Sequence, residues 1–288
     1  MVIVKIYGGL GNELFQYALY RKLQSLGKEV SCDILALEHV RGMGLPVIDV
    51  FPGVDIKSAD EGCRRKLGDV SRSLPARVKR RLWLKRSHVR EERPRHFQPE
   101  VFGMDQVYLE GYWQSERYFR DIREELLKEF AFPEPADRRN RELAEKMGQE
   151  VSVSVHVRRG DYLMGKNKEI YGGVCTDAYY DRAVAYFQEK FRNPHFYFFS
   201  NDPKWVAERF RDIRMTAVDW NQGAQSHWDM YLMSRCRHNV IANSSFSWWG
   251  AWLNGHREKE VVAPKFWFNP KAATAVDTVC EGWIKMEG

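Results

Sequence analysis

Cysteine is scarce in this sequence and is not arranged to pair or to bind a metal ion. The five residues are an odd number spread over 288 positions, with no Cys-x-x-Cys pair; they are Cys32, Cys63, Cys175, Cys236 and Cys280. A disulfide framework and a structural zinc cluster are therefore both disfavoured, and the pattern favours a reducing compartment.

Long apolar runs are also missing. No segment approaches the roughly 20 apolar residues that cross a bilayer, and the apolar N-terminal stretch is interrupted by Lys5. That stretch is too short for the core of a signal peptide. We therefore expect a cytoplasmic protein.

The composition, with no visible repeat, is that of a soluble globular protein. Hydrophobic residues make up 44% of the chain and charged residues 29%, which excludes the disordered and coiled-coil classes. The length suits two α/β domains of ordinary size.

The formal net charge of +6 comes from one segment. Residues 64–95 carry 13 Lys and Arg against three acids, so the rest of the chain is net negative. Within the segment an apolar residue recurs at every fourth position, which indicates an apolar stripe on a basic helix: Val70, Leu74, Val78 and Leu82. Such a helix could make a peripheral contact with an anionic membrane, or it could be an ordinary surface helix docked on the core. No recognised nucleic-acid motif accompanies the charge, so we expect no nucleic-acid partner.

Predicted strands and helices alternate along the chain. Strands over residues 2–7 and 30–34 enclose a helix that ends near Gly27. Residues 107–110 are a further candidate strand, and residues 115–130 form a longer helix. The second half alternates in the same way, with strands predicted over 151–157, 195–199, 239–242 and 261–263. This alternation predicts an α/β protein with parallel sheets in two Rossmann-like layers. We place the domains at 1–140 and 150–265, with 266–288 as a tail that packs back on the body.

Polar residues follow four of the predicted strands, at the edge where open α/β sheets bind ligands. The first group is the glycine turn at residues 8–12, which lets the backbone approach a ligand beside a helix N-terminus. In the second group His156 and Arg158 share one face of the strand, and Arg159 begins the turn. Two guanidinium groups at the end of an apolar strand need countercharge, which a diphosphate supplies through forked hydrogen bonds.

The other two groups contain small polar residues. Asp202, after Ser200 and Asn201, could accept hydrogen bonds from a nucleoside or could cap the next helix. Residues 243–247 open a helix and can present hydroxyl and backbone N–H groups to phosphate. No two Asp residues stand two apart, so the D-x-D device that holds a metal-bound nucleotide sugar is missing. We expect no metal ion, with arginine in its place.

Together these residues resemble the bacterial α-1,2-fucosyltransferases of glycosyltransferase family 11. The resemblance rests on the stretches 8–12, 14–18, 156–162, 200–202 and 243–253, in that order. The combination of HVRRGDY and NSSFSWW is specific, whereas the glycine turn alone is not. The sequence departs from the family at Glu13, where Gln is usual, and residues 64–95 align with no family motif.

The resemblance implies a GT-B fold that binds GDP-β-L-fucose in a cleft between two Rossmann-like domains, with the acceptor on the N-terminal side. It implies metal-independent, inverting transfer to the 2-hydroxyl of a terminal β-galactose, without a cofactor. The acceptor would be a galactose-terminated oligosaccharide, either free or linked to a lipid. The enzyme would build surface polysaccharide or lipopolysaccharide. The alternatives are a GDP-fucose transferase of another linkage, such as α-1,6, and a non-catalytic nucleotide- or glycan-binding protein.

If the resemblance holds, the chemistry of glycosyl transfer suggests roles for individual residues. Arg159, assisted by Arg158 or His156, would stabilise the charge that develops on the leaving GDP. Asp161 is the first candidate for the general base and Glu13 the second, although either could instead orient an arginine. The residues expected to bind the donor are Gly9, Gly11, Asn12, His156, Arg158, Arg159, Asn201, Asp202, Asn243, Ser244, Ser245 and Phe246.

Overall fold

The computed structural model describes residues 1–37, 44–70, 85–91, 96–269, 271 and 277–288, without the side chains of Asp161 and Leu163. These residues divide into two compact units, Met1–Ala131 and Phe132–Gly288. Most of the predicted apolar stripe lies outside the described residues, namely Leu74, Val78 and Leu82.

The first unit is built on a parallel four-stranded sheet. Its strands are β1 (Val2–Lys5), β2 (Val30–Asp33), β3 (His88–Arg90) and β4 (Val107–Glu110), in the spatial order β2-β1-β4-β3. Its helices are α1 (Leu10–Ser25), α2 (Val47–Val50), α3 (Glu61–Leu67) and α4 (Arg123–Glu129). The sequence β1–α1–β2 is the predicted β-α-β opening.

The continuous helix predicted over residues 115–130 is wrong. The segment consists of two short 3-10 helices, Glu116–Tyr118 and Arg120–Ile122, followed by α4. Helical geometry is interrupted at Phe119, whose φ of −146° is an extended value. The aromatic ring is fully buried, so tertiary packing overrides the helical periodicity at this point.

The second unit is built on a parallel six-stranded sheet. Its strands are β5 (Ser152–Val157), β6 (His195–Ser200), β7 (Met215–Val218), β8 (His238–Val240), β9 (Val261–Pro264) and β10 (Ile284–Met286). The spatial order is β10-β9-β8-β5-β6-β7, which is the Rossmann strand order. Its helices are α5 (Arg138–Gln149), α6 (Gly165–Tyr171), α7 (Asp177–Lys190), α8 (Pro203–Arg209), α9 (His227–Arg235) and α10 (Ser245–Trp252).

Side-chain alternation along the central strands builds a core on each face of this sheet. Phe196 and Phe198 point to one face, where the apolar side of α7 packs. Tyr197 and Phe199 point to the other face, where they meet α9. The sheet is thus covered by helices on both faces, which leaves its carboxyl edge to carry function. The predicted α/β class with parallel sheets is confirmed.

Some predictions from composition can be compared with the structure directly. All five cysteines are free thiols. No helix in the described part of the chain is both long enough and apolar enough to cross a membrane. Trp248 and Trp249 are fully buried, so they pack in the core and offer no platform to a sugar.

Candidate active site

The carboxyl edge of the second sheet collects the polar residues that the sequence singled out. Arg158 and Arg159 follow β5, Asn201 and Asp202 follow β6, and Asn243 lies between β8 and α10. The strand order reverses between β5 and β8, the position at which open α/β sheets bind nucleotides.

Arg159 is held in place at this edge from three sides. Its Nη1 atom lies 3.1 Å from Oδ1 of Asp177, and its Nε atom lies 3.6 Å from Oδ2 of Asp202. The guanidinium carbon lies 4.2 Å from the centroid of the Trp205 ring, a cation–π contact. The side chain keeps 24% of its surface exposed. A guanidinium that is oriented yet reachable is suited to bind an anionic oxygen.

The turns after β5 and β6 approach each other closely. The side-chain Oδ1 of Asn201 accepts a hydrogen bond of 3.0 Å from the backbone N–H of Arg159. A Cβ atom on Gly160 would lie 2.4 Å from Nδ2 of Asn201, so only glycine fits without displacing that amide. Asn201 therefore fixes the backbone of the arginine turn.

Asp202 does two things at once. Besides its contact with Arg159, its Oδ1 accepts a 3.2 Å hydrogen bond from the backbone N–H of Trp205 and so caps α8. The sequence left a cap and a nucleoside contact as alternatives. In the structure Asp202 caps α8. It also forms an ion pair with Arg159, which the sequence did not predict.

Asn243 and Tyr162 tie this edge together. The side-chain Nδ2 of Asn243 donates to the backbone oxygens of Tyr171 and Trp267 at 3.2 and 3.1 Å. Asn243 is 2% exposed. The Tyr162 hydroxyl donates to the backbone oxygen of Asn243, and the guanidinium of Arg158 lies 5.4 Å from the Tyr162 ring centroid. The amide of Asn243 thus shapes the edge from within the protein.

The N-terminus of α10 completes the edge. Ser244 is the N-cap residue, Ser245 is the first helical residue, and both are partly exposed, as is Phe246. Backbone N–H groups at a helix N-terminus attract anions. His156 lies behind them, its ring centroid 6.0 Å from that of Phe246. Burial, together with the charge of Arg158, lowers the pKa of His156 to about 3, so His156 is neutral at physiological pH and carries no positive charge toward a phosphate.

The remaining predicted residues belong to the first unit. Gly8, with a φ of +98°, makes the turn that only glycine adopts easily, and Gly9 is the N-cap residue of α1. Gly11 is buried, and Asn12 accepts a 2.7 Å hydrogen bond from Gln114 through its Oδ1.

Glu13 lies inside the first unit. It is fully buried, and its Oε2 accepts a 2.8 Å hydrogen bond from the backbone N–H of Val47 at the start of α2. Its Oε1 has no hydrogen-bond partner among the described residues. Burial raises the pKa of Glu13 to about 7. This carboxyl group therefore anchors α2, whereas the side chain of Asp161, the other candidate base, lies outside the described atoms.

Asp177 and Trp205 were not predicted as site residues. Asp177 is the first residue of α7, next to the N-cap residue Thr176, whose side chain accepts from the backbone N–H of Tyr179. An aspartate at the start of a helix is common beside an N-cap residue. The local sequence therefore does not show that Asp177 contacts Arg159. The only available signal is its place at a helix start beside the same sheet edge.

Comparisons with known proteins agree with this architecture. The model of glycosyl transferase family 11 matches residues 87–287. An alpha-1,2-colitosyltransferase of Escherichia coli is 31% identical over 295 residues, which cover 100% of this chain and 99% of that protein. A galactoside alpha-(1,2)-fucosyltransferase 2 of Sus scrofa is 30% identical over 172 residues, which cover 57% of this chain and 49% of that protein.

Among solved structures, NodZ alpha-1,6-fucosyltransferase soaked with GDP-fucose is similar with a TM-score of 0.51 and 16% identity. The likeness covers 88% of this chain and 91% of NodZ. At this identity it bears on the fold alone, and it confirms the predicted GT-B type. With the family model spanning more than half of the sequence, and a relative that matches over its whole length, the chain belongs to glycosyl transferase family 11.

Proposed function

We propose that this glycosyltransferase transfers L-fucose from GDP-β-L-fucose to the 2-hydroxyl of a terminal β-galactose and forms an α-1,2-fucoside. The observation that carries the proposal is the oriented Arg159 at the reversal point of a Rossmann sheet. The relatives of E. coli and S. scrofa are both named for α-1,2 transfer, which supports the linkage.

The donor diphosphate would bind between the arginine turn and α10. Breaking the bond between the sugar and GDP leaves negative charge on the β-phosphate. Arg159, already oriented by Asp177 and Asp202, would stabilise that charge as it develops. The N-terminus of α10 would add backbone N–H groups and the hydroxyl groups of Ser244 and Ser245.

Transfer would proceed with inversion and without a metal ion. The acceptor hydroxyl would attack the anomeric carbon on the face opposite to GDP, which converts the β-linked donor into an α-linked product. Guanidinium and helix N–H groups would do for the diphosphate what a divalent cation does in other sugar transferases.

Asp161 remains our first candidate for the base that accepts the hydroxyl proton. It lies in the 3-10 helix Gly160–Leu163, two residues after Arg159. Glu13 is the weaker candidate, because its fully buried carboxyl group already accepts from Val47. A carboxylate must come within hydrogen-bond reach of the hydroxyl group to act as a base.

Product analysis tests the linkage. The protein is incubated with GDP-fucose and lactose, and the trisaccharide is examined by NMR. We expect fucose on the 2-hydroxyl of galactose in an α configuration. A product with fucose at another hydroxyl would move the chain to a different linkage class, and a β-linked product would contradict inversion.

The donor sugar has a specific second candidate. The relative that matches the whole chain is named for colitose, a sugar that lacks the 3-hydroxyl group of fucose. A pocket built to hydrogen-bond a hydroxyl group discriminates strongly against the analogue without it. We expect GDP-fucose to have a higher kcat/KM than GDP-colitose when both donors are tested with the same acceptor. The reverse order would identify a colitosyltransferase.

The proposed setting is the cytoplasm, with a peripheral membrane contact through residues 64–95 as a further proposal. In the described part of that segment, α3 carries Arg64, Arg65 and Lys66 in its last turn. Binding to anionic vesicles that exceeds binding to neutral vesicles, and that falls with salt, would support the contact. Equal weak binding to both would remove it.

A further inference from the structure

The first sheet has a cavity at its own carboxyl edge that the donor chemistry does not use. It measures about 400 Å³, and the last residue of each of the four strands lines it. These residues are Lys5, Asp33, Arg90 and Glu110. β1 and β4 are the two central strands of the sheet, and the cavity lies at the carboxyl ends of the strands, the edge where open parallel sheets bind ligands.

Glu110 pairs with both of the permanent cations that line this cavity. Glu110 forms an ion pair with Lys5 and accepts hydrogen bonds from Nε2 of His88 at 2.9 Å and from Nε of Arg90 at 3.1 Å. His88 accepts the backbone N–H of Asp69 through Nδ1 at 2.9 Å, so its Nε2–H group is the donor to Glu110. These hydrogen bonds and the Lys5 charge hold the pKa of Glu110 well below its usual range.

The balance of charge indicates the class of ligand. The lining contains two permanent cations, Lys5 and Arg90, against three carboxylates, Asp33, Asp69 and Glu110. This excess of carboxylate would repel a phosphate or another anion. A neutral molecule with several hydroxyl groups can both donate to the carboxylates and accept from the cations.

Two tyrosines lie beside the cavity, after its two central strands. Tyr7 follows β1 and Tyr112 follows β4, and both are partly exposed. Their ring centroids lie 5.2 Å apart with an interplanar angle of 34°. The Nζ atom of Lys5 lies 4.7 Å from the Tyr7 ring centroid, so one side chain links the ring pair to the polar cavity.

Buried or paired side chains fix the backbone that carries both rings. Gln16 is fully buried, accepts from the backbone N–H of Tyr7 at 2.8 Å, and donates to the backbone oxygen of Gly111 at 3.0 Å. Glu91 accepts from the backbone N–H of Tyr112 at 2.8 Å. The tyrosine pair is therefore oriented before any ligand arrives, which lowers the entropic cost of binding.

We propose that the cavity and the tyrosine pair bind the terminal neutral hexose of the acceptor glycan; this assignment rests on the proposed transfer to a glycan hydroxyl. The tyrosine rings pack against the apolar face of the sugar ring. The charged side chains of Lys5, Asp33 and Glu110 hydrogen-bond its hydroxyl groups. Tyr7 and Tyr112 are then specificity-determining residues for the acceptor and have no part in donor binding.

Matched substitutions at the two rings test this site. Tyr7→Leu and Tyr112→Leu remove the aromatic face, whereas Tyr7→Phe and Tyr112→Phe keep it and remove only the hydroxyl group. For each folded variant, the KM for lactose and the KM for GDP-fucose are measured. We expect the lactose KM to rise about five- to tenfold in the Leu variants, with the Phe variants and all donor KM values unchanged. An unchanged lactose KM in both folded Leu variants would overturn the proposal.

A binding measurement tests this acceptor site independently of the proposed transfer reaction. Saturation-transfer NMR with lactose needs no donor and no turnover. We expect the lactose signal in the wild type to be lost in Tyr7→Leu and kept in Tyr7→Phe, even if GDP-fucose proves not to be the donor. Normal fucosyl transfer together with a lactose signal that Tyr7→Leu leaves intact would refute the acceptor site alone.

Discussion

The two sheet edges have the same architecture and different chemistry. Each is the carboxyl edge of an all-parallel sheet. The first carries two cations that are already paired with Glu110, beside two tyrosines. The second carries two consecutive arginines and the N-terminus of α10. Topology thus sets where a ligand can bind, and side chains decide whether it is neutral or anionic.

The carboxylates at the two edges also differ in what they do. Glu110 accepts from three donor side chains and is itself 20% exposed. Asp177 and Asp202 contact Arg159 at 3.1 and 3.6 Å and are 53% and 40% exposed. Solvent-exposed pairs of this kind are weak, so a phosphate can replace water around Arg159 without breaking a buried ion pair.

The largest expected effect is the loss of activity when Arg159 is removed from the second sheet edge. We expect Arg159→Ala to lower kcat about 100- to 1000-fold, because it removes the charge that stabilises the leaving GDP. Arg211→Ala is the matched control, since Arg211 pairs only with Asp212 in the described part of the chain and is 77% exposed. Steady-state kinetics and circular dichroism of both variants check the prediction, and near-normal turnover in folded Arg159→Ala would contradict the phosphate assignment.

A buried carboxyl group in the first unit gives the second prediction, which concerns stability. Burial raises the pKa of Glu13 from 4.5 to about 7. Between these values the folded state keeps a proton that the unfolded state has released, so the free energy of unfolding falls as the pH rises. From pH 5 to pH 8 we expect the wild type to lose about 2 kcal/mol more than Glu13→Gln, which has the shape of the protonated acid.

Urea unfolding of both proteins at the two pH values measures this difference. Equal losses in the wild type and in Glu13→Gln would mean that Glu13 is ionised in the folded state already at pH 5. The carboxyl group would then be accessible to solvent or to a cation, and the second candidate for the catalytic base would regain support.

The smallest expected effect is on kcat in Asp177→Asn, which tests whether Asp177 positions Arg159. If this carboxylate positions Arg159, Asp177→Asn lowers kcat about five- to tenfold through loss of orientation, with little change in the donor KM. Asp181→Asn is the matched control, because Asp181 lies on the same helix and pairs with Arg209 instead. A lower donor KM at unchanged kcat would show the opposite, that Asp177 competes with the diphosphate for Arg159.

The strands that the sequence did not predict have one property in common. β3, β7 and β10 all lie at the edges of their sheets. Edge strands are covered less fully than central ones, and these three contain mostly partly buried or exposed residues. They therefore lack the apolar run or alternation that revealed β1, β5 and β6.

Site residues were predictable where they directly follow a strand. Arg158, Arg159 and Asn201 could be placed at one edge because parallel strands end on the same side of a sheet. The contact between Arg159 and Asp177 depends on how α7 packs on that sheet, which no local pattern encodes. The burial of Glu13 was unpredictable for a related reason, because α1 is buried on nearly all sides and its sequence does not show which polar residue faces inward.

The most direct test of the account is release of GDP from GDP-fucose in the presence of EDTA, with and without lactose. We predict fast release that depends on lactose and is not restored or increased by adding manganese. No release in EDTA, with full activity returned by manganese, would contradict the central claim that arginine at the second sheet edge performs the role of a metal ion.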